Sequence, residues 1–512
     1  MDFSWITHRA SGVFLHISSL PSDYGIGNIG SSADEFLAFA EQAGFSYWQI
    51  CPLGPTGFGD SPYQSFSAFA GNIYFLDLQE FCKMGLLSVD ELEPLKSLPR
   101  DFCDYGAIYN ILPKLVAKAS VRFRESASAQ SKREFAKFRK ENDWLEAYSL
   151  FCALKSYFGS KCWLDWDKEY RNYEFAKNNV PQECLDEIYA VEFGQWVFFK
   201  QYSAFRRKAA KKGIEIFGDI PIFLSMDSAD VWANPKLFEL DKNYNPKNVA
   251  GVAPDYFSET GQLWGNPLYD WKNAKNALFE FWRKRIDSAS KMYDVIRFDH
   301  FRGFADYWSI PAKTGDARKG RLKKGPDVEF FKFIKKHFPK QKFVAEDLGL
   351  LSKASFALRD RIKIPSMAVL QFAFGGNAQN PYLPHNVRRN CVFYTGTHDN
   401  NTSIGWYESA SEKAKDQARR YFRASADAVN WDMIHAVMLS VASIAVFPMQ
   451  DIIGLGAYAR TNTPGKSDGN WQWRMTSEQL EKAVRDNAPY LRSLCELSDR
   501  LKKILQINIT IG

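Results

Sequence analysis

Four acidic residues, Asp219, Asp299, Glu346 and Asp399, each close a short apolar run and stand just before a turn. The words around them are IFGDIPIF (216–223), DVIRFDHFRGF (294–304), FVAEDLG (343–349) and GTHDN (396–400). Breaking a glycosidic bond takes one ionised carboxylate at the sugar ring and one protonated carboxyl at the leaving oxygen. Asp299 lies two residues after Arg297, so strand alternation turns both side chains to one face, and a neighbouring guanidinium favours an ionised aspartate. Glu346 follows Phe343-Val344-Ala345, where desolvation raises a carboxyl pKa and suits it to deliver a proton. Asp399, beside His398, could bond sugar hydroxyls and help distort the ring, and Asp219 completes the set. Each acid alone reads equally well as a salt-bridge partner or a helix N-cap. Four at successive strand tips, two of them beside Arg or His, read as a site. The same oxygens, joined by His300 and His398, could instead hold a divalent metal.

Carboxylates repeated at the C-terminal tips of buried strands predict an α/β chain folded as a (β/α)8 TIM barrel. Eight apolar runs supply candidate strands: 13–17, 45–50, 214–220, 294–298, 342–346, 367–374, 391–396 and 443–448. Continuous apolar runs suit parallel strands covered on both faces. Amphipathic stretches between them, such as 273–293 and 328–338, read as helices, and this alternation means βα units.

The spacing is uneven. Roughly 160 residues separate the second and third runs, too many for one crossover. Residues 77–200 carry helical periodicity and read as a mostly helical insertion. They would divide the barrel into 1–76, with its first two strands, and 201–512, with the rest. A second insertion, 228–270, rich in Pro, Gly, Asn and aromatics, reads as an ordered loop near the third strand tip, where active-site loops belong. Thr476 to Gln479 has a capping-box pattern and opens a helix expected to run to about Leu505. The stretch after the eighth run is too short for a terminal β-sandwich.

Composition excludes little. Of the 512 residues, 46% are hydrophobic and 24% charged, as in an ordinary globular protein. The aromatic share of 15% fits either an aromatic core or stacking against sugar rings. A net charge of +7 is mild for this size, and the basic stretch from Lys313 to Lys324 reads as a solvated loop rather than a nucleic-acid footprint. Eight cysteines without CxxC or metal-ligand spacing read as reduced thiols and favour the cytoplasm. The N-terminus lacks the pattern of a secretory signal, and no window is apolar for long enough to span a membrane.

Several longer words are more specific. RFDHFRGF (297–304), AEDLG (345–349), GTHDN (396–400) and GDIPIF (218–223) resemble those of the 4-α-glucanotransferases, the amylomaltase or disproportionating-enzyme family, glycoside hydrolase family 77. SSLPSDYGIGNIG (18–30), DSPYQ (60–64), DYFSETGQLWGNPLYDW (255–271), NPYLPHN (380–386) and NTPG (462–465) agree. The resemblance covers essentially the whole chain. It implies Asp299 as nucleophile, Glu346 as general acid/base and Asp399 as transition-state stabiliser. Tyr63, Asp219, Arg297 and His398 would touch the sugar. Pro254, Asp255, Tyr256, Phe257, Trp264 and Asn266 would belong to a loop over the acceptor side, with Asn462 on the same groove. It further implies malto-oligosaccharide and α-1,4-glucan substrates, no metal or organic cofactor, no nucleic-acid or membrane partner, and a monomer or weak homodimer. Leu322 and Gly375 stand where many members carry an aromatic and some an acid, respectively, so chain-length preference is open. An α-glucan hydrolase of the α-amylase type and an inactive glucan-binding protein are the rival readings.

Overall fold

Among the described residues, twelve strands build two sheets: β1 (Ala10–Phe14), β2 (Tyr47–Gln49), β3 (Glu215–Ile220), β4 (Asn248–Val252), β5 (Gln262–Pro267), β6 (Val295–Phe298), β7 (Asp306–Pro311), β8 (Arg321–Lys324), β9 (Lys342–Ala345), β10 (Ser366–Val369), β11 (Cys391–Tyr394) and β12 (Ile444–Pro448). The computed structural model describes residues 1–254, 259–349, 352–466 and 468–501. Eight strands form one parallel sheet in the order β10-β11-β12-β1-β2-β3-β6-β9. The Ala345 N–H donates to the Pro365 carbonyl at 2.9 Å and brings β9 back to β10, so the sheet curls into a (β/α)8 barrel. Every residue of β1, β2, β6, β10, β11 and β12 is buried, which is why these strands read as unbroken apolar runs.

All eight predicted strands exist, with shifted ends. The run at 367–374 is a strand only to Val369, after which Leu370–Phe372 turn as a 3₁₀ helix. Between β2 and β3 the chain is helical, with Tyr105–Ser126, Ala129–Glu141, Trp144–Tyr157 and Leu185–Lys211 as the longest pieces. Phe123, Phe135, Phe193 and Trp196 meet there in edge-on and tilted ring contacts. The helix Leu185–Lys211 does not stop at residue 200. Its last turns lie on the barrel, with Phe205 against Trp48 at 5.4 Å and the Tyr202 hydroxyl donating to the Met292 carbonyl.

Three expectations need correcting. The ordered insertion 228–270 is not loop throughout: it holds a helix, Ala229–Ala233, and the hairpin strands β4 and β5. The basic stretch up to Lys324 is not all solvated loop either, because Arg321–Lys324 pairs antiparallel with β7 as an edge strand. Together these make a four-stranded sheet, β5-β4-β7-β8, rising from the chain that follows β3 and β6. Basic side chains on an edge strand discourage further pairing, and Lys323 reaches Glu239 at 2.9 Å. Finally, the capping box at Thr476 is present, but the helix passes through a π turn at 483–487 and ends at Leu497 rather than near Leu505. Residues beyond 501 lie outside the described residues.

All eight cysteines are free. No described helix is long and apolar enough to cross a membrane.

Candidate active site

The C-terminal ends of β3, β6, β9 and β11 bring the four acids together. Arg297, in β6 and 4% exposed, is the hub. Its Nη1 donates to Asp219 Oδ2 and, at 3.0 Å, to Asp299 Oδ1, while its Nε meets Met367 Sδ at 3.3 Å. β3 and β6 pair in register with Asp219 opposite Arg297, so the ion pair follows from the strand pairing itself. Burial disfavours the charged guanidinium, but the carboxylates of Asp219 and Asp299 outweigh it and raise the Arg297 pKa.

Asp219 shares its Oδ2 with the Tyr63 hydroxyl, which donates at 2.7 Å. Its buried Oδ1 has no hydrogen-bond partner among the described residues. Burial pushes Asp219 up to about 6, against the pull of Arg297. Tyr63 sits on a long loop after β2 that the helical layer and the helix Ala229–Ala233 each fix at one point. Gln195 exchanges two 2.8 Å hydrogen bonds with the Gly71 backbone, and Asp230 accepts from Ala68 N–H at 2.8 Å.

Glu346 follows β9, and backbone amides hold both its oxygens. His300 N–H donates to Oε2 at 2.8 Å and Leu348 N–H to Oε1 at 2.9 Å. His300 takes a left-handed φ of 49° just past Asp299, a conformation that non-glycine residues rarely adopt and that clusters at functional sites. Here it turns the backbone amide next to Asp299 toward Glu346. Burial drives the Glu346 pKa up to about 7; Arg297 opposes the rise and the charge of Asp299 adds to it.

Asp399 is driven the other way. His398 Nε2 lies 3.3 Å from its Oδ2, and Asn462 Nδ2 donates to its Oδ1 at 2.6 Å. Burial disfavours its charge, yet His398 and Asn462 outweigh that and bring its pKa down to about 2. The same pair acts on His398, where Asp399 overcomes burial and raises the imidazole pKa. The His398 ring stacks on Tyr63, 5.0 Å between centroids at 19°, so the two ends of the acid row touch through these rings.

The remaining predicted contacts are uneven. Trp264, in β5, stands edge-on to His300 at 4.8 Å, placing the second sheet beside Asp299. Asn266 is buried, and its amide is spent on the Leu224 carbonyl, which ties β5 to the chain after β3. Pro254 is exposed. Asp255, Tyr256 and Phe257 lie outside the described residues. Among the described residues, no group of three or more His, Cys, Asp and Glu is arranged to hold a metal ion.

Three neighbours escaped the sequence reading. Arg460 donates to the Asp399 carbonyl at 2.5 Å, and Trp471 packs on both Tyr63 and His398. Both flank the NTPG word, which was the available signal. His16 is buried just past β1, its Nδ1 without a partner among the described residues; burial, and then the charge of His398, hold its pKa down near 3. His16 lies inside the apolar run 13–17 rather than at its close, so the pattern that marked the acids passed over it.

A sequence profile of the 4-alpha-glucanotransferase family, glycoside hydrolase family 77, matches residues 15–480. The chain belongs to that family. The 4-alpha-glucanotransferase of Thermus thermophilus is 44% identical over 504 residues, covering 96% of this chain and 99% of that one. The enzyme of the same name from Clostridium butyricum is also 44% identical, over 94% of this chain and 100% of its own length. Among solved structures, the amylomaltase from Streptococcus agalactiae in complex with acarbose superposes with a TM-score of 0.91 at 36% identity, covering 96% of this chain and all of that one. The Corynebacterium glutamicum amylomaltase, at 15% identity and a TM-score of 0.78, shares the fold.

Proposed function

We propose that this 4-alpha-glucanotransferase moves α-1,4-glucan segments by two displacements with net retention, Asp299 acting as nucleophile and Glu346 as acid and then base. Asp299 attacks the anomeric carbon of the donor, the bond to the leaving 4-oxygen breaks, and Glu346 gives that oxygen its proton. A covalent glycosyl-enzyme and a free shortened glucan result. The 4-hydroxyl of an acceptor glucan then loses its proton to Glu346 and attacks the same carbon, releasing Asp299. A new α-1,4 bond replaces the old one, and no water is consumed.

One observation carries this reading: two neighbouring carboxyl groups in opposite circumstances. Asp299 lies 3.0 Å from a buried guanidinium, a partner that suits a nucleophile, whereas burial pushes Glu346 up to about 7, so near neutral pH Glu346 still has a proton to give. In this reading the two flanking acids divide the work: Asp399, held ionised, accepts from sugar hydroxyls, and Asp219 holds Arg297 beside Asp299. Tyr63, His398 and Asn462 orient them. Trp264 borders the acceptor side, and bound acceptor competes with water by proximity. The acarbose complex of the Streptococcus agalactiae relative supports malto-oligosaccharides as ligands.

Feeding maltotriose tests the reading. Transfer yields glucose and a ladder of longer maltodextrins while the number of reducing ends stays constant. A steady rise in reducing ends without longer products would overturn it in favour of hydrolysis. Newly formed linkages should carry the α-anomeric NMR signal, and a β signal would exclude two displacements.

A further inference from the structure

A second concavity lies at the other end of the barrel. A cavity of about 510 Å³ opens where β10, β11 and β12 begin, and its wall includes Arg359, Lys363, Arg388 and Arg389. Among the described residues the only carboxylate in that wall is Asp360, and it is already engaged by Arg359 Nε at 2.9 Å and by Arg388 Nη1 at 2.5 Å. Lys363 reaches Asp2 at 3.1 Å. Arg389 is exposed; its carbonyl accepts from the N–H groups of Cys391 and Ser443, but its guanidinium makes no ion pair or hydrogen bond among the described residues. Residues at this face of a barrel ordinarily serve stability. Gathering like charges in one hollow does the opposite, because their mutual repulsion opposes the folded state. Asp360, Asp347 and Asp2 answer Arg359, Arg388 and Lys363, which leaves the exposed Arg389 side chain as the cation of this wall without a counter-ion among the described residues.

We propose that this basic cavity binds a phosphate ester of sugar or nucleotide size. Guanidinium groups present paired N–H donors that match phosphate oxygens in a fork, and such pairs are stronger than neutral hydrogen bonds. The volume falls in the range of small-molecule sites, roughly 300–1,000 Å³, and exceeds what a bare ion needs. Ser443 and Asn390 in the wall supply polar groups for the rest of the molecule. The site is separate from the acid row, which occupies the C-terminal ends of the strands. Arg359 is unsuitable for testing it, because its Nη1 also holds Asp347, the residue after Glu346, at 2.8 Å.

Isothermal titration of the full-length protein with glucose 1-phosphate, ADP and inorganic phosphate tests the proposal, the three probes separating sugar, nucleotide and bare-ion sources. The expected result is saturable one-to-one binding of at least one ester, tighter than inorganic phosphate. It should weaken at least tenfold in Arg389→Glu and persist in Asp299→Asn. Should Arg389→Glu fail to fold, Arg389→Ala serves, with a loss of at least threefold expected. The proposal is overturned if neither ester binds saturably, if inorganic phosphate binds as tightly as both, or if binding is unchanged in the Arg389 variants. Loss in Asp299→Asn with no loss in the Arg389 variants would place the phosphate ester in the acid cleft and overturn it as well.

Discussion

Glu346 and Asp399 are carboxyl groups of one acid row driven in opposite directions, Glu346 by burial up to about 7 and Asp399 by His398 and Asn462 down to about 2. An acid with a raised pKa is protonated below that value and loses its proton as pH rises through it. Transfer activity should therefore fall on the alkaline side near pH 7, while Asp399 stays ionised across the working range. In Glu346→Gln, kcat should drop by about 10²- to 10⁴-fold, the usual share of general acid–base catalysis, and the alkaline limb should vanish from the pH–rate profile. A limb that persists unmoved would assign it to another group. Asn462→Ala tests the support of Asp399. Removing a hydrogen bond to a charged group is worth about 1.5–3 kcal/mol, so the melting temperature should fall, and loss of the same support in the transition state should lower kcat/KM by up to roughly 10- to 150-fold. The acids were legible in the sequence because each closes an apolar run. The amides of His300 and Leu348 that hold Glu346 were not, since a backbone donor leaves no mark on residue type.

At the scale of elements, legibility followed burial. The barrel strands are covered on both faces and read as apolar runs. β4, NVAGV, and β8, RLKK, carry no such signal; β8 is a strand because β7 pairs with it, so the chain neighbours decide what composition does not. Within β3, Gly218 has a role no periodicity reveals. A Cβ there would overlap the ring of Tyr293, whose hydroxyl accepts from Leu53 N–H at 3.2 Å. The missing side chain thus lets Tyr293 lie against the strand beside Asp219 and brace the start of the Tyr63 loop. Gly218→Ala should destabilise the protein by about 1–3 kcal/mol, the range for overpacking a close-packed core. It should also depress kcat/KM, since Asp219 and Leu53 would shift together. Chemical denaturation and steady-state kinetics on one preparation check both. A variant of normal stability and activity would show that Tyr293 has room to move.

At the scale of the whole molecule, the barrel's first and last strands must be joined although the sequence separates them most. β1 and β12 pair in register from Ala10–Ile444 to Phe14–Pro448, and a guanidinium locks their beginnings. Arg500, fully buried just beyond the closing helix, donates five hydrogen bonds, to the carbonyls of Ala10, Met438, Ser440, Ala442 and Ser443. Arg9 adds bonds to Met438, Ser440 and Ser498. No hydrophobic pattern announces this clamp; it exists because the bend before β12 turns its carbonyls inward, where water cannot reach them. Replacing Arg500 by Met preserves bulk but leaves buried acceptors unsatisfied, each such group costing about 1–3 kcal/mol when nothing relaxes to meet it. Partial compensation from Arg9 sets the expected loss at about 3 kcal/mol, seen as a lower urea midpoint with unchanged slope. The acid row lies at the opposite end of the strands, so kcat at 25 °C should match the parent protein. A midpoint that stays put would mean the five bonds contribute nothing net, and a fall in kcat without unfolding would mean the seam and the acid row move as one body.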